Sequence, residues 1–266
     1  MTTTLDIQSA GPVARVTLDR PDVRNAFNDA VIAELTRAFR DLGAREDVRC
    51  IVLAARGPAF CAGADLHWMR RMADYSRAEN LADAGALAAM LQAIHGCPRP
   101  TIARVQGDVF AGGMGLVAAC DMAVAVDAAT FCLSEVKLGL IPATIAPYVS
   151  RAMGIRAAHR YFLTAERFGA AEALRIGFVH EVVAADALDA RVDALAAAVA
   201  AAGPGAVRAC KALLHDVAGR DITPALVART VEGIADVRAS AEGREGVKAF
   251  LEKRRPAWLA QEGEGG

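Results

Sequence analysis

The amino-acid sequence predicts an α/β layered core followed by a helical C-terminal region. Two observations carry this. Short, wholly apolar runs alternate with helix-period patterns over roughly the first 145 residues, and from about Thr144 onward nearly every segment has helical periodicity. The chain has 266 residues, 54% of them hydrophobic, so it can bury a large core.

Leu5 to Ser9 and Val13 to Leu18 alternate around Ala10-Gly11-Pro12, the pattern of a hairpin. Asn28 is placed to cap a helix from about Asp29 to Gly43, with Val31, Leu35, Phe39 and Leu42 on one face. Cys50 to Ala55, Thr101 to Val105 and Met122 to Val126 are the apolar runs, as expected of strands covered on both faces. Helical patterns near Leu66 to Arg71 and Ala78 to His95 lie between the first two. Beyond Thr144 the periodicity predicts helices over 145–153, 155–163, 170–175, 187–202, 204–218, 223–240 and 242–253, with one strand over 178–183. The chain divides on this reading into a core over 1–200, a helical region suited to oligomerisation over 201–258, and a disordered tail over 259–266.

Composition narrows the function. Aromatics are only 5% and the formal net charge is −1, which disfavours nucleic acid and anionic membranes as partners and points to a small molecule. The N-terminal segment has no basic n-region followed by an apolar h-region, and no apolar run would span a bilayer, so a cytoplasmic location is expected. The six cysteines form no C-x-x-C pair, and the five histidines lack metal-ligand spacing, so no metal site is expected.

Two segments combine an apolar strand, a small-residue loop and a helix start. In CIVLAARGPAFCAGADLHWM, Ala62-Gly63-Ala64-Asp65 opens a helix; in PTIARVQGDVFAGGMGLVAACD, Gly112-Gly113 opens another. First-turn N–H groups at such openings point at a ligand, so one turn could bind phosphate and two converging turns could hold a developing oxyanion. Tight helix-to-strand packing is the plainer reading of either turn alone. G-G-M-G is not a dinucleotide fingerprint, and no phosphate-loop motif or G-x-S-x-G is present. A third segment, ATFCLSEVKLGLIP, places one acid, Glu135, among Phe131, Leu133, Val136, Leu138 and Leu140. Apolar surroundings raise a carboxyl pKa toward neutrality. On composition alone an ordinary solvated strand glutamate fits the same residues. His67, just after the first turn, is in position to touch a ligand.

AFCAGADLHWM, PTIARVQGDVFAGGMGLVAACD, FCLSEVKLGLIP and AAEALRIGFVHEVV resemble, in the same order, the signature of the enoyl-CoA hydratase/isomerase (crotonase) superfamily. RPDVRNAFN and KAFLEKRRPAW resemble its first CoA-contacting loop and its C-terminal tail, so the resemblance covers nearly the whole chain. It implies a core of repeated ββα units with a C-terminal helical trimerisation region, assembled as a homotrimer or a hexamer. It further implies an acyl-CoA thioester substrate, with coenzyme A part of that substrate and no separate cofactor. By carry-over, Ala64 and Gly112 supply oxyanion-hole N–H groups and Glu135 is the catalytic carboxylate. Arg24, Ala62, Asp65, Leu66 and His67 line the CoA site, and Phe250 and Lys253 hold its nucleotide end, with a subunit boundary between them an open option.

Two departures qualify the resemblance. Typical hydratases carry a first glutamate three residues beyond the oxyanion-hole glycine, and that position here is Gly115. The usual P-G-x-G-G-T-Q-R-L run is replaced by Pro142-Ala143-Thr144-Ile145-Ala146-Pro147-Tyr148-Val149, which resembles bacterial methylglutaconyl-CoA and carboxygeranoyl-CoA hydratases. The expected reaction is hydration of a 2-enoyl-CoA, with 3-enoyl to 2-enoyl isomerisation by Glu135 alone as the alternative and a non-catalytic acyl-CoA- or RNA-binding relative as a third option. Asp108 is a weaker candidate to replace the missing acid. Arg151 or Arg156 is a weaker candidate to pair with a distal substrate carboxylate.

Overall fold

The structure, a computed structural model, describes residues 4–262. It begins with the expected hairpin, β1 (Leu5–Ala10) paired antiparallel to β2 (Val13–Leu18), with Ala14, Val16 and Leu18 turned inward. Helix α1 (Asp29–Ala44) follows. The Asn28 side chain accepts from the Val31 amide at 3.2 Å, and Val31, Leu35, Phe39 and Leu42 are buried.

Three units then repeat one pattern. The first is β3 (Cys50–Ala55), β4 (Ala59–Cys61), α2 (Leu66–Met72) and α3 (Arg77–His95). The second is β5 (Thr101–Val105), β6 (Asp108–Phe110) and α4 (Gly112–Ala119). The third is β7 (Met122–Val126), β8 (Thr130–Cys132), a 3-10 turn over Glu135–Leu138 and α5 (Ala146–Thr164). Gly154 is non-helical (φ 76°, ψ 152°) and breaks α5 where the sequence predicts two helices.

The chain continues through β9 (Phe168–Gly169), α6 (Ala170–Arg175), β10 (Glu181–Val183) and α7 (Leu188–Ala201), then α8 (Pro204–Val217), α9 (Pro224–Ala239) and α10 (Ala241–Leu251). Each repeated unit gives its first strand to one sheet and its second to another. The larger sheet has the order β1-β2-β3-β5-β7-β10, parallel from β2 onward. The smaller has the order β4-β6-β8-β9, parallel except for β9. This is the expected core of ββα units.

The strands β3, β5 and β7 are nearly all buried because α7 packs against all three. The last three helices pack mainly on one another. Lys211 of α8 ties them to the core: its Nζ donates to Asp121 Oδ2 at 2.6 Å and to the Arg99 carbonyl at 3.1 Å. Val231, Ile234, Val247, Phe250 and Leu251 on α9 and α10 are apolar yet exposed. A 3-10 turn over Ala257–Glu262 occupies part of the segment expected as a tail, and residues 263–266 lie outside the described residues. Among the described residues, no single helix is long and apolar enough to cross a membrane.

Candidate active site

Three loops leave the C-terminal ends of β4, β6 and β8, which lie side by side in the smaller sheet. These loops carry Ala62 to Asp65, Ala111 to Gly112 and Leu133 to Glu135. Parallel neighbours send their loops out at the same edge, so segments about 50 and 20 residues apart in sequence meet there.

The first loop is zipped to the segment before α1. Ala62 N–H donates to the Arg24 carbonyl (3.0 Å), Phe27 N–H to the Gly63 carbonyl (2.9 Å) and Asp65 N–H to the Phe27 carbonyl (3.0 Å). Ala64 pairs with Phe27 as a parallel bridge. Extended backbone turns successive amides to opposite sides. The Ala64 N–H therefore points away from this zip, and it makes no hydrogen bond among the described residues.

In the second loop, Ala111 N–H donates to the Cys132 carbonyl at 2.8 Å, carrying the β6–β8 ladder one step further. Ala111 itself is held at φ 47°, ψ −124°, a strained region for a residue with a Cβ. That torsion sets the plane of the next peptide, whose N–H belongs to Gly112. Gly112 opens α4, so its N–H lacks an intrahelical acceptor and lies at the positive end of the helix. The two turns touch: a Cβ built on Gly63 (φ 93°) would lie 2.9 Å from the Ala111 Cβ and 3.7 Å from the Gly112 nitrogen.

Glu135 differs from the strand residue that composition alone suggests. β8 ends at Cys132, and Glu135 starts a 3-10 turn closed when the Leu140 N–H donates to its carbonyl at 3.1 Å. The residue is half-buried, and its Oε2 is buried with no hydrogen-bond partner among the described residues. Burial pushes its pKa above the ordinary glutamate value, opposed only by its own backbone amide. The three loops thus bring two free backbone amides and a half-buried carboxyl to one edge of the smaller sheet, and groups of these kinds can in principle stabilise an oxyanion and move a proton.

The other expected positions divide. Arg24, Ala62, Leu66 and His67 lie along one rim, with Arg24, Leu66 and His67 exposed. The Asp65 carboxylate is engaged within the protein. It accepts from the His67 amide (2.8 Å) and the Trp68 amide (3.3 Å) as the N-cap of α2, and from Arg20 Nη2 at 2.9 Å. Burial raises its pKa, but Arg20 and the two amides outweigh that and hold it below the usual carboxylate range. Phe250, 82% exposed, lies in the last turn of α10, which packs on α8 and α9, and Lys253 (φ 55°) follows just after that helix ends. Gly115 lies one turn along α4 from Gly112, and a Cβ there would meet Ile145 Cγ2 at 2.3 Å.

Asp108 does not replace the missing acid. It starts β6, at the edge opposite the loops, and accepts from Thr130 Oγ1 at 2.5 Å. Arg151 lines a separate cavity with His95, Tyr148 and His215, where Asp121 is already paired with Lys211. Cys61 is also excluded as a nucleophile, because burial pushes its thiol up to about 12.

Sequence reasoning missed Asn25 and Arg20, which brace the first loop. Asn25 is buried at φ 53°, accepts from the Arg20 amide, and donates to the Arg56 and Ala59 carbonyls at 2.7 and 2.8 Å. Asparagine's tolerance of the left-handed region was the one available signal.

Comparison with known proteins agrees with this architecture. A sequence profile described as enoyl-CoA hydratase/isomerase matches residues 8–261. An enoyl-CoA hydratase of Alternaria alternata is 34% identical over 252 residues, covering 91% of this chain and 82% of that protein. The crystal structure of an enoyl-CoA hydratase from Shewanella pealeana superposes with a TM-score of 0.93 at 44% identity, covering 96% of each chain. The Pseudomonas aeruginosa protein AtuE superposes with a TM-score of 0.92 at 36% identity, covering 96% of this chain and 99% of its own. With its two sheets, converging amides and buried glutamate, the chain belongs to the enoyl-CoA hydratase/isomerase family of enzymes, the crotonase superfamily.

Proposed function

We propose that this enzyme adds water across the 2,3 double bond of an enoyl-CoA thioester, with Glu135 as its one catalytic carboxylate. The observation that carries this is the unpartnered, buried Glu135 Oε2 on the loop after β8, at the same edge of the smaller sheet as the two touching turns that bear the amides. In the proposed reaction the thioester oxygen lies between the Ala64 and Gly112 N–H groups. Ionised Glu135 takes a proton from water as the water oxygen bonds to C3, and the double-bond electrons move to the thioester oxygen as an enolate. Glu135 then returns that proton to C2, and the carboxylate is restored. Each amide donor stabilises the enolate-like transition state by about 3 kcal/mol. Coenzyme A enters as part of the substrate, and no separate cofactor takes part.

The acyl group we favour is β-branched and 3-methylglutaconyl-like, as in leucine, isoprenoid or fatty-acid breakdown. Its support is the local resemblance of Pro142 to Val149 to hydratases of branched substrates. Arg24, Ala62, Leu66 and His67 form the proposed CoA rim. Phe250 and Lys253 complete it from another subunit of a trimer or hexamer, in which the exposed apolar residues of α9 and α10 are covered.

One observation favours a second reading, 3-enoyl to 2-enoyl isomerisation: no carboxylate stands at position 115. The test is a turnover panel of 2-enoyl-, 3-enoyl- and 3-methylglutaconyl-CoA with wild type and Glu135→Gln. Hydration of the 2-enoyl substrates that is lost in the variant supports the proposal. Turnover of the 3-enoyl substrate alone selects the isomerase, and an undiminished variant removes Glu135 from the mechanism.

A further inference from the structure

Position 115 is closed by more than the absence of a side chain. Gly115 is buried in α4, three residues from Gly112 and so on the same helix face as the oxyanion amide. A Cβ built there would lie 2.3 Å from Ile145 Cγ2, 2.9 Å from Ile145 Cβ and 3.3 Å from Leu91 Cδ2. The Leu91 contact is with the end of a flexible side chain and yields cheaply. The Ile145 contact does not, because Cβ is fixed to the backbone and isoleucine is branched there.

Ile145 cannot retreat as a unit either. It is 1% exposed, stands at the N-cap of α5, and its carbonyl accepts from the Tyr148 and Val149 amides at 3.1 and 3.0 Å. Any residue but glycine at 115 collides with it, and any smaller residue at 145 leaves a hole against Gly115.

We infer that Gly115 and Ile145 form one compensated pair, in which Ile145 occupies the volume a second catalytic side chain would need and so commits the site to single-acid chemistry. Ile145 is thus a specificity-determining residue that acts through packing and does not touch the reacting atoms. A rise of about 1.5 Å per residue puts position 115 about 4.5 Å along the axis from the Gly112 amide. The space a side chain at 115 would enter is taken by Ile145 and Leu91, both hydrocarbon. This inference rests on the proposal that Glu135 is the site's acid.

The test is a double-mutant cycle of wild type, Gly115→Glu, Ile145→Gly and the combined variant. Glycine is required at 145 because alanine retains the Cβ at 2.9 Å. Each protein is melted, assayed for hydration of crotonyl-CoA, a straight-chain 2-enoyl thioester, and taken through a pH–rate profile.

Each single variant is expected to melt below wild type, and the double variant above the sum of the two losses. Only the double variant should gain crotonyl-CoA hydration, by about a hundredfold over Gly115→Glu, with a second carboxylate limb in its pH profile. Additive losses, a Gly115→Glu protein as stable as wild type, or a single variant that gains as much as the double one would each overturn the pairing. A double variant that recovers stability without gaining hydration would overturn its role in the reaction. If wild type turned over no enoyl thioester, the functional proposal would fail while the melting cycle still tested the pair.

Discussion

Replacing Asp65 by alanine tests whether the first loop is held by one carboxylate. Asp65 caps α2 through two amides and receives Arg20 from the other side. Loss of an N-cap costs about 1 kcal/mol, and loss of a charge-assisted hydrogen bond about 1.5–3 kcal/mol. The expected destabilisation is therefore roughly 2–4 kcal/mol, or a fall in Tm of about 5–15 °C for a chain of this size. Asp65→Asn keeps the capping oxygen and should lose only about half as much. Ala64 directly precedes Asp65, so the alanine variant should also lower kcat by about tenfold through a misplaced amide. The pH dependence follows from the depressed pKa of Asp65. A depressed folded-state pKa gives stability that is present above the unfolded value, about pH 4, and lost as pH falls through the lower folded value. The gap between wild type and Asp65→Ala, measured by urea unfolding, should thus be constant near neutrality and close in acid. A gap below about 0.5 kcal/mol, or one that persists in acid, would refute the reasoning.

Glu135→Gln should lower kcat by about 10² to 10⁴ with little change in KM. Burial raises the Glu135 pKa, so the wild-type acid limb should fall above the ordinary carboxylate range and be missing from the variant. A raised folded-state pKa gives stability that is present below the unfolded value and lost as pH rises through the folded one, so Glu135→Gln should raise Tm near pH 8 and leave it unchanged near pH 4. Thermal melts at the two pH values check the sign. Gly112→Ala would place a Cβ 2.3 Å from Phe27 Cζ, in a ring that is 2% exposed. It should cost about 1–3 kcal/mol in denaturant unfolding and be partly rescued by Phe27→Leu. Lys211→Met strips Asp121 of its cation and α8 of its tie to the core. A loss of about 3 kcal/mol is expected, with hydrogen exchange rising first in α8 to α10.

Sequence showed the larger sheet and hid the smaller one, for a physical reason. Cys50–Ala55 and Met122–Val126 are apolar throughout because these strands are buried along nearly their whole length, and a continuous apolar run is a local signal. β4, β6 and β8 have three residues each, too few to show a period of two, and their pairing joins segments about 50 and 20 residues apart. Yet this sheet is what aligns the three loops. Periodicity could therefore locate Ala64, Gly112 and Glu135 on separate turns but could not bring them to one edge; the family resemblance supplied that. The structural part played by Asp65 was hidden for a related reason. Its spacing before α2 fits both a cap and a ligand contact, and its partner Arg20 is 45 residues away.

The two departures at Gly115 and Ile145 look independent in sequence because 30 residues separate them. In space they are one contact, and that changes the chemistry to be expected of the site. A glycine facing open space would leave room for a water or a distant acid to do the lost carboxylate's work. A glycine filled from the far side by a branched side chain leaves none. Asp108 is turned to the other edge of the sheet and Arg151 to another cavity, so no polar substitute enters from those directions. In the proposed mechanism the burden of proton transfer then falls on Glu135, whose buried and unpartnered Oε2 is costly to the fold unless the reaction uses it. The folded protein bears that cost at the edge where two amides also lack partners, and in the proposed reaction a thioester oxygen on the amides and a water on the carboxylate would satisfy all three groups at once.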